Sequence, residues 1–296
     1  KLTGMCKTDR ESYEKYWDDI SPFIKFGCLK DQKFQEKMKD FIIFKNLDDK
    51  YITLPEYVEN IKGKEDSEQP EVVDAEDVAK EEAGEETAGK EEEPTTVYYV
   101  TDIQQQGQYI NLFKEQGMDA LILAHTIDQP FITQLEQSED VKVHFQRIDS
   151  DLSDSMKEEG DEETLKKQTE TLGDVFKKAL GKDQLEVQVQ NLKNENISSM
   201  ITLSEETRRM QDMMNMYSAG GMGMDTSMFG GGETLILNAN NALVKYILDN
   251  TEGEHVDMFC KQLYDLAMLA NKPLSAEEMT QFVARSNEIM LLLTQE

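Results

Sequence analysis

Between Lys62 and Thr96 the chain all but stops offering side chains to a core. The run KGKEDSEQPEVVDAEDVAKEEAGEETAGKEEEPTT holds only valine and alanine as apolar residues. Such a stretch cannot bury enough surface to offset the entropy of ordering it. The folded parts are therefore expected before and after this segment. We read 62–96 as a disordered acidic insertion, a solvated loop between folded parts.

The charge balance narrows the partners. With 60 acidic against 31 basic residues the formal charge is -29, so the clustered Lys and Arg that nucleic acid or an anionic membrane would need are missing. No apolar run approaches the roughly 18 residues of a membrane span, and no apolar signal core opens the chain. Cys6, Cys28 and Cys260 are odd in number and far apart, which points to reduced thiols and a cytoplasmic location rather than a disulfide framework. The chain starts at Lys1 without an initiating methionine, and we expect it to be a piece of something longer.

Residues 1–61 read as a helical segment. Thr8 or Asp9 caps a helix with Tyr13, Tyr16, Trp17 and Ile20 on one face, ended by Ser21-Pro22. A second helix, from Gln32 to Ile42, buries Phe34, Met38 and Phe41. Thr53-Leu54-Pro55-Glu56 is a capping box that opens a third. Residues 97–150 read as a small parallel α/β unit. VYYVT, ALILA at 120–124 and VKVHFQ at 141–146 are its strands. A helix ending at Gly117 and another capped by Asp128 and carrying Phe131 alternate with them. No glycine-rich phosphate loop follows the first strand.

The polar run Asp149 to Glu163 marks a second boundary, and 151–296 reads as an α+β domain. A helix to Leu180 stops at Gly181, and strands follow at 185–189, 198–203 and 234–237. The last two helices carry Phe259, Leu263 and Leu266, then Met279, Phe282, Val283, Ile289, Met290 and Leu293. One small sheet gives them little to bury against. Pairing two copies into a four-helix bundle over about 242–296 would close that surface, so a homodimer is expected. The fold class is mixed α/β and α+β.

Between the second and third of those strands hangs EETRRMQDMMNMYSAGGMGMDTSMF, residues 205–229. Met210, Met213, Met214 and Tyr217 share one helix face at i, i+3, i+4 and i+7. Methionine is unbranched and polarizable, and suits a surface that accepts many apolar shapes. Glycines 220, 221, 223 and 230–232 make the following loop costly to order. The alternatives are an interaction surface and an ordinary core stripe, and we take the first. His125, His144 and His255 stand apart from one another and from the cysteines, so no metal site and no catalytic Cys–His arrangement is expected.

Several stretches together resemble the ninety-kilodalton heat-shock chaperones of the bacterial HtpG type. YEKYWDDISPFIKFG at 13–27, ITLPEYVENIK and VYYVTD flanking the insertion, and GMDALILAHTID at 117–128 resemble the end of that family's middle domain. LNANNALVKYIL at 237–248 and QLYDLAMLANKPLSAEEMTQFVARSNEIM at 262–290 resemble its C-terminal dimerisation domain. The resemblance implies a homodimeric, ATP-driven stress-response chaperone that binds unfolded or partly folded clients. ATP and magnesium would be handled before Lys1, leaving no cofactor and no enzymatic activity here. It also implies that Met210, Met213, Met214 and Tyr217 contact clients, with Phe131 as a middle-domain client contact. Gln129 and Pro130 depart from the family's acidic–tryptophan pair beside that aromatic. Two other functions fit the bare sequence: an enzyme whose α/β unit binds a small molecule, and a passive dimeric scaffold.

Overall fold

The structure, a computed structural model, describes residues 1–68, 94–138, 141–150, 156–158, 160–204, 207, 209–210, 232–292 and 294. It separates into two units, one of residues 1–99 and 120–146, the other of 100–119 and 147–296. Most of the acidic insertion, 69–93, lies outside the described residues.

In the first unit α1 (Leu2–Thr8) leads into α2 (Arg10–Lys30), whose N-terminus is capped by the Asp9 carboxylate accepting from the Ser12 N–H. The expected stop at Ser21-Pro22 is corrected: α2 runs straight through Pro22. An interior proline costs about 3 kcal/mol. The buried stripe of Tyr13, Trp17, Ser21, Ile24 and Cys28 continues at three- and four-residue spacing on both sides of it. Burial of the second half of that stripe outweighs one lost hydrogen bond.

The second helix is also shorter than expected. α3 (Gln32–Met38) gives way to a 3₁₀ turn over Lys39–Phe41, and Ile42, Ile43 and Phe44 are buried as extended chain. β1 (Ile43–Asn46) and β2 (Tyr51–Thr53) form a hairpin that pattern reading missed. Its turn is made by Asn46, whose side-chain oxygen accepts from the Asp48 and Lys50 N–H groups, and by Asp49 at φ 59°. Aspartate tolerates that left-handed conformation better than most residues.

The box Thr53–Glu56 forms as expected: the Thr53 N–H donates to Glu56 at 2.7 Å, and the Glu56 N–H donates to the Thr53 hydroxyl at 3.3 Å. It opens α4 (Leu54–Glu68), which continues into residues 62–68 of the expected insertion. The sheet then gains β3 (Thr95–Val100), β4 (Leu121–Ile122) and β5 (Val143–Arg147), in the order β2-β1-β4-β3-β5. β1 pairs antiparallel with both β2 and β4, so the expected parallel sheet is in fact mixed. α5 (Gly107–Glu115) clusters with the second unit rather than with these strands. In α6 (Asp128–Glu136) Asp128 lies inside the first turn instead of capping it. Its carboxylate accepts from the Lys25 ammonium at 2.5 Å and from the His125 N–H at 3.0 Å, in a buried ion pair joining α2 to α6.

The longer stretch of the second unit begins at Arg147. Asp149 and Ser150, read as part of a polar linker, are buried. Arg147 grips the Asp149 carboxylate with two N–H donors at 2.6 and 2.7 Å. α7 (Glu162–Leu180) ends at Gly181, whose φ of 63° is the left-handed cap that the sequence suggests. A three-stranded sheet follows, in the order β6-β8-β7. β8 (Glu233–Asn238) is central, parallel to β6 (Glu186–Gln190) and antiparallel to β7 (Ser199–Leu203). α8 (Ala242–Asp249) is capped by the Asn241 carboxamide; α9 (Val256–Leu269) and α10 (Ala276–Leu292) complete the chain. Leu172 and Phe176 of α7, Leu235 and Leu237 of β8, and Cys260 and Ala267 of α9 share one core.

Candidate functional site

β7 and β8 end and begin at the same edge. Leu203 is the register partner of Glu233, so the chain from Ser204 to Gly232 is an excursion whose two ends are held side by side, as its bracketing by strands suggests. The Ser204 hydroxyl accepts from the Thr207 N–H at 3.3 Å, which is how a serine caps a helix. Gly232 closes the neck. Its φ is 113°, and an added Cβ would meet the Thr207 side chain at 3.0 Å, so only glycine fits there without displacement. Met210 is helical and 45% exposed. Met213, Met214 and Tyr217 lie outside the described residues.

The middle-domain aromatic fares differently. Phe131 is 0% exposed and packs in the first unit's core with Ile132 and Leu135. In this structure it is part of the core rather than the surface.

The tail residues also divide. Leu263 is sealed in the core of its own unit, beside Cys260 and Ala267. Phe259 is half-buried against the same core, its ring edge-on to Tyr246 at 5.8 Å. Leu266 is exposed. α10 buries no residue at all. Val283 is 49% and Met290 56% exposed, Met279 and Leu291 are exposed too, and Phe282 and Ile289 are half-buried. Leu293 lies outside the described residues. Met279, Val283, Ser286 and Met290 follow one another at spacings of four, three and four, the seam that packs one helix against another.

Contacts between α9 and α10 include a polar seam. Gln262 donates to the Ser286 hydroxyl at 3.0 Å and accepts from Arg285 at 2.9 Å, while Arg285 also pairs with Asp265. Burial pushes the Asp265 carboxyl above the usual range even with Arg285 beside it. α10 starts at the expected box: the Ser275 N–H donates to Glu278 at 2.9 Å, and the Glu278 N–H donates to the Ser275 hydroxyl at 3.3 Å. The first of these holds the Glu278 carboxyl below its ordinary pKa.

Sequence reasoning missed two further exposed apolar residues on α8, Leu243 and Tyr246. Val244 and Ile247 of the same helix are buried. The i, i+3 spacing of Leu243 and Tyr246 was the available signal. Among the described residues no three His, Cys, Asp or Glu side chains gather as a metal site, and no helix is long and apolar enough to cross a membrane. The three cysteines are free and buried.

A family model described as Hsp90 protein matches residues 2–69 and 86–295. Among curated proteins the chain is similar to the chaperone protein HtpG of Bacteroides thetaiotaomicron, 30% identical over 261 residues. That alignment covers 86% of this chain and 34% of the relative. The HtpG of Porphyromonas gingivalis is 27% identical over 266 residues, covering 87% and 34%. The HtpG of Helicobacter acinonychis is 26% identical over 291 residues, covering 96% and 40%. The chain thus spans about a third of the length of the Bacteroides and Porphyromonas relatives it matches.

Proposed function

Because the chain belongs to the Hsp90 protein family, we propose that it is the part of a cytoplasmic HtpG-type chaperone that dimerises and holds partly folded proteins. In this reading two copies pair through the tail helices, with Leu266, Met279, Phe282, Val283, Ile289, Met290 and Leu293 at the contact. Clients lie on Met210, Met213, Met214 and Tyr217. ATP and magnesium are handled by parts of the chaperone outside this chain, and the chain itself is not an enzyme. The observation that carries the reading is α10, a 17-residue helix with no buried residue, whose Met279, Val283 and Met290 are exposed. Such a helix pays for its order only when something covers it. The methionine face adds to this: one of its members is half-exposed beside a closed neck, and methionines adapt to partners of varied shape.

Sedimentation at micromolar concentration and binding of an unfolded protein test the two halves together. The chain is expected to run as a dimer. Replacing Met210, Met213 and Met214 by Ser should weaken binding of reduced, carboxymethylated α-lactalbumin at least about tenfold while leaving the dimer intact, since even one lost methionine contact is worth about 1.5 kcal/mol. A monomer at high micromolar concentration removes the first half. Unchanged affinity in the triple variant removes the second, and leaves the passive scaffold standing.

A further inference from the structure

Each side of the excursion's neck has its own line to the turn after α9. On the β7 side the Leu203 N–H donates to the Asp149 carbonyl at 3.4 Å, and Asn271 donates through its side-chain Nδ2 to the Asp149 carboxylate at 3.4 Å. The two-point grip of Arg147 fixes that carboxylate, and Asp149 and Asn271 are both buried. On the β8 side Glu233 accepts from the Lys272 ammonium at 2.6 Å. Leu203 and Glu233 are register partners in adjacent strands. Asn271 and Lys272 are consecutive, and both of their N–H groups donate to the Met268 carbonyl, at 2.9 and 2.7 Å, which fastens them to the last turn of α9. Three residues after Lys272, Ser275 opens α10 in a capping box with Glu278.

We propose that Asn271 and Lys272 form a latch coupling the tail helices to the mouth of the methionine excursion. A shift of α9 or α10 on pairing with a second copy pulls on Asp149 and on Glu233. Both strands at the neck then follow, and with them the point from which Ser204 launches the helix that carries Met210. The same path runs backwards: a client that moves the neck alters how α9 and α10 meet their partner. This latch rests on the functional reading above, in which the tail dimerises and the methionine face binds clients. None of the latch residues belongs to either surface. They are positioning residues, and linkage requires their effect to be reciprocal.

The test measures the dimer dissociation constant with and without saturating reduced, carboxymethylated α-lactalbumin, and the affinity for that protein above and below the dimer midpoint. In the unaltered chain each event should change the other by the same factor, about fivefold or more. The Asn271→Ala, Lys272→Ala double variant should still dimerise and still bind, with that factor falling toward one. Lys272→Glu should speed hydrogen exchange at the Leu203 and Glu233 amides, and adding Glu233→Lys should slow it again. Coupling retained in the double variant overturns the latch, as does exchange at the neck that ignores both charge changes. Dimerisation and binding that are both present but independent in the unaltered chain overturn the latch alone. Absence of either event overturns the functional reading and the latch with it.

Discussion

α9 and α10 follow one another, are both rich in apolar side chains, and meet opposite fates. α9 turns Val256, Cys260, Leu263, Tyr264, Ala267 and Met268 into the core under β7 and β8. α10, longer by three residues, turns none. The difference is not one of helix signals, since α10 has the better N-terminus: a complete Ser275–Glu278 box against no side-chain cap on α9. It is one of supply. The three-stranded sheet and α7 offer enough apolar surface for one tail helix. The second is tied on by Arg285, Gln262 and Ser286 and left with its methionines outside. Burial within a single chain and exposed apolar surface thus fall on adjacent helices.

The sharpest way to break this contrast is to cut one side chain from each helix. Leu263→Ala removes a sealed leucine and is expected to cost about 2–5 kcal/mol in chemical unfolding, whatever the protein concentration. Val283→Ala should cost little at concentrations where the chain is monomeric, and should weaken it only where copies are paired. Equal, concentration-independent losses would mean that α10 is as much core as α9, and the comparison would collapse. A related reading comes from Cys260, whose thiol is pushed up to about 12 by burial. The same closed environment that hides Leu263 keeps that thiol out of reach of base.

What could be read from the sequence was what is decided locally. Both capping boxes, the Gly181 stop and the three strands β6, β7 and β8 depend on residues within a few positions of one another, and they stand where expected. The errors fell where a distant partner decides. Pro22 should end a helix by its own chemistry, yet Ile24 and Cys28 are drawn into a core assembled from other elements. Ile42 suits the end of a helix, but the chain is already extended there as it enters β1, where Ile43 pairs with Thr53 of β2. Asp149 looks like linker until Arg147 and Asn271 enclose it. The candidate site shows the same divide. Periodicity marks Leu263 and Val283 as equally apolar, and only the sheet's limited area decides which is covered. Phe131 was placed by resemblance, and its burial follows from the packing of α6 on α2.

A smaller effect separates the helices at their beginnings. Ser275→Ala removes the hydroxyl that receives the Glu278 N–H, and loss of such a cap costs about 1 kcal/mol. Because no core holds α10 down, that loss should appear as local fraying, seen as faster hydrogen exchange in its first turn. The matching change in the first unit, Thr53→Ala, opens a helix with buried Leu54 and Tyr57, and its first turn should stay protected. Equal fraying at both sites would show that packing, contrary to the comparison, contributes nothing to the difference.

The smallest expected effect is one of pH, and it isolates the cap from the packing. The Ser275 N–H and hydroxyl hold the Glu278 carboxyl below its ordinary pKa in the folded state. A depressed pKa means that the folded state favours the ionised form. Its contribution is therefore fully present above the unfolded value of about 4.3, and is lost as pH falls through the folded value. Below that point a protonated Glu278 accepts the Ser275 N–H only weakly, and the first turn of α10 loosens. Glu278 is largely solvated, so screening keeps the effect modest. Exchange or helicity at α10, followed from pH 6 downward, should show this acid loss in the unaltered chain and a flat response in Glu278→Gln, whose amide does not titrate in that range. An identical acid response in both would assign the loss to other carboxylates and leave α10 held by something besides its cap.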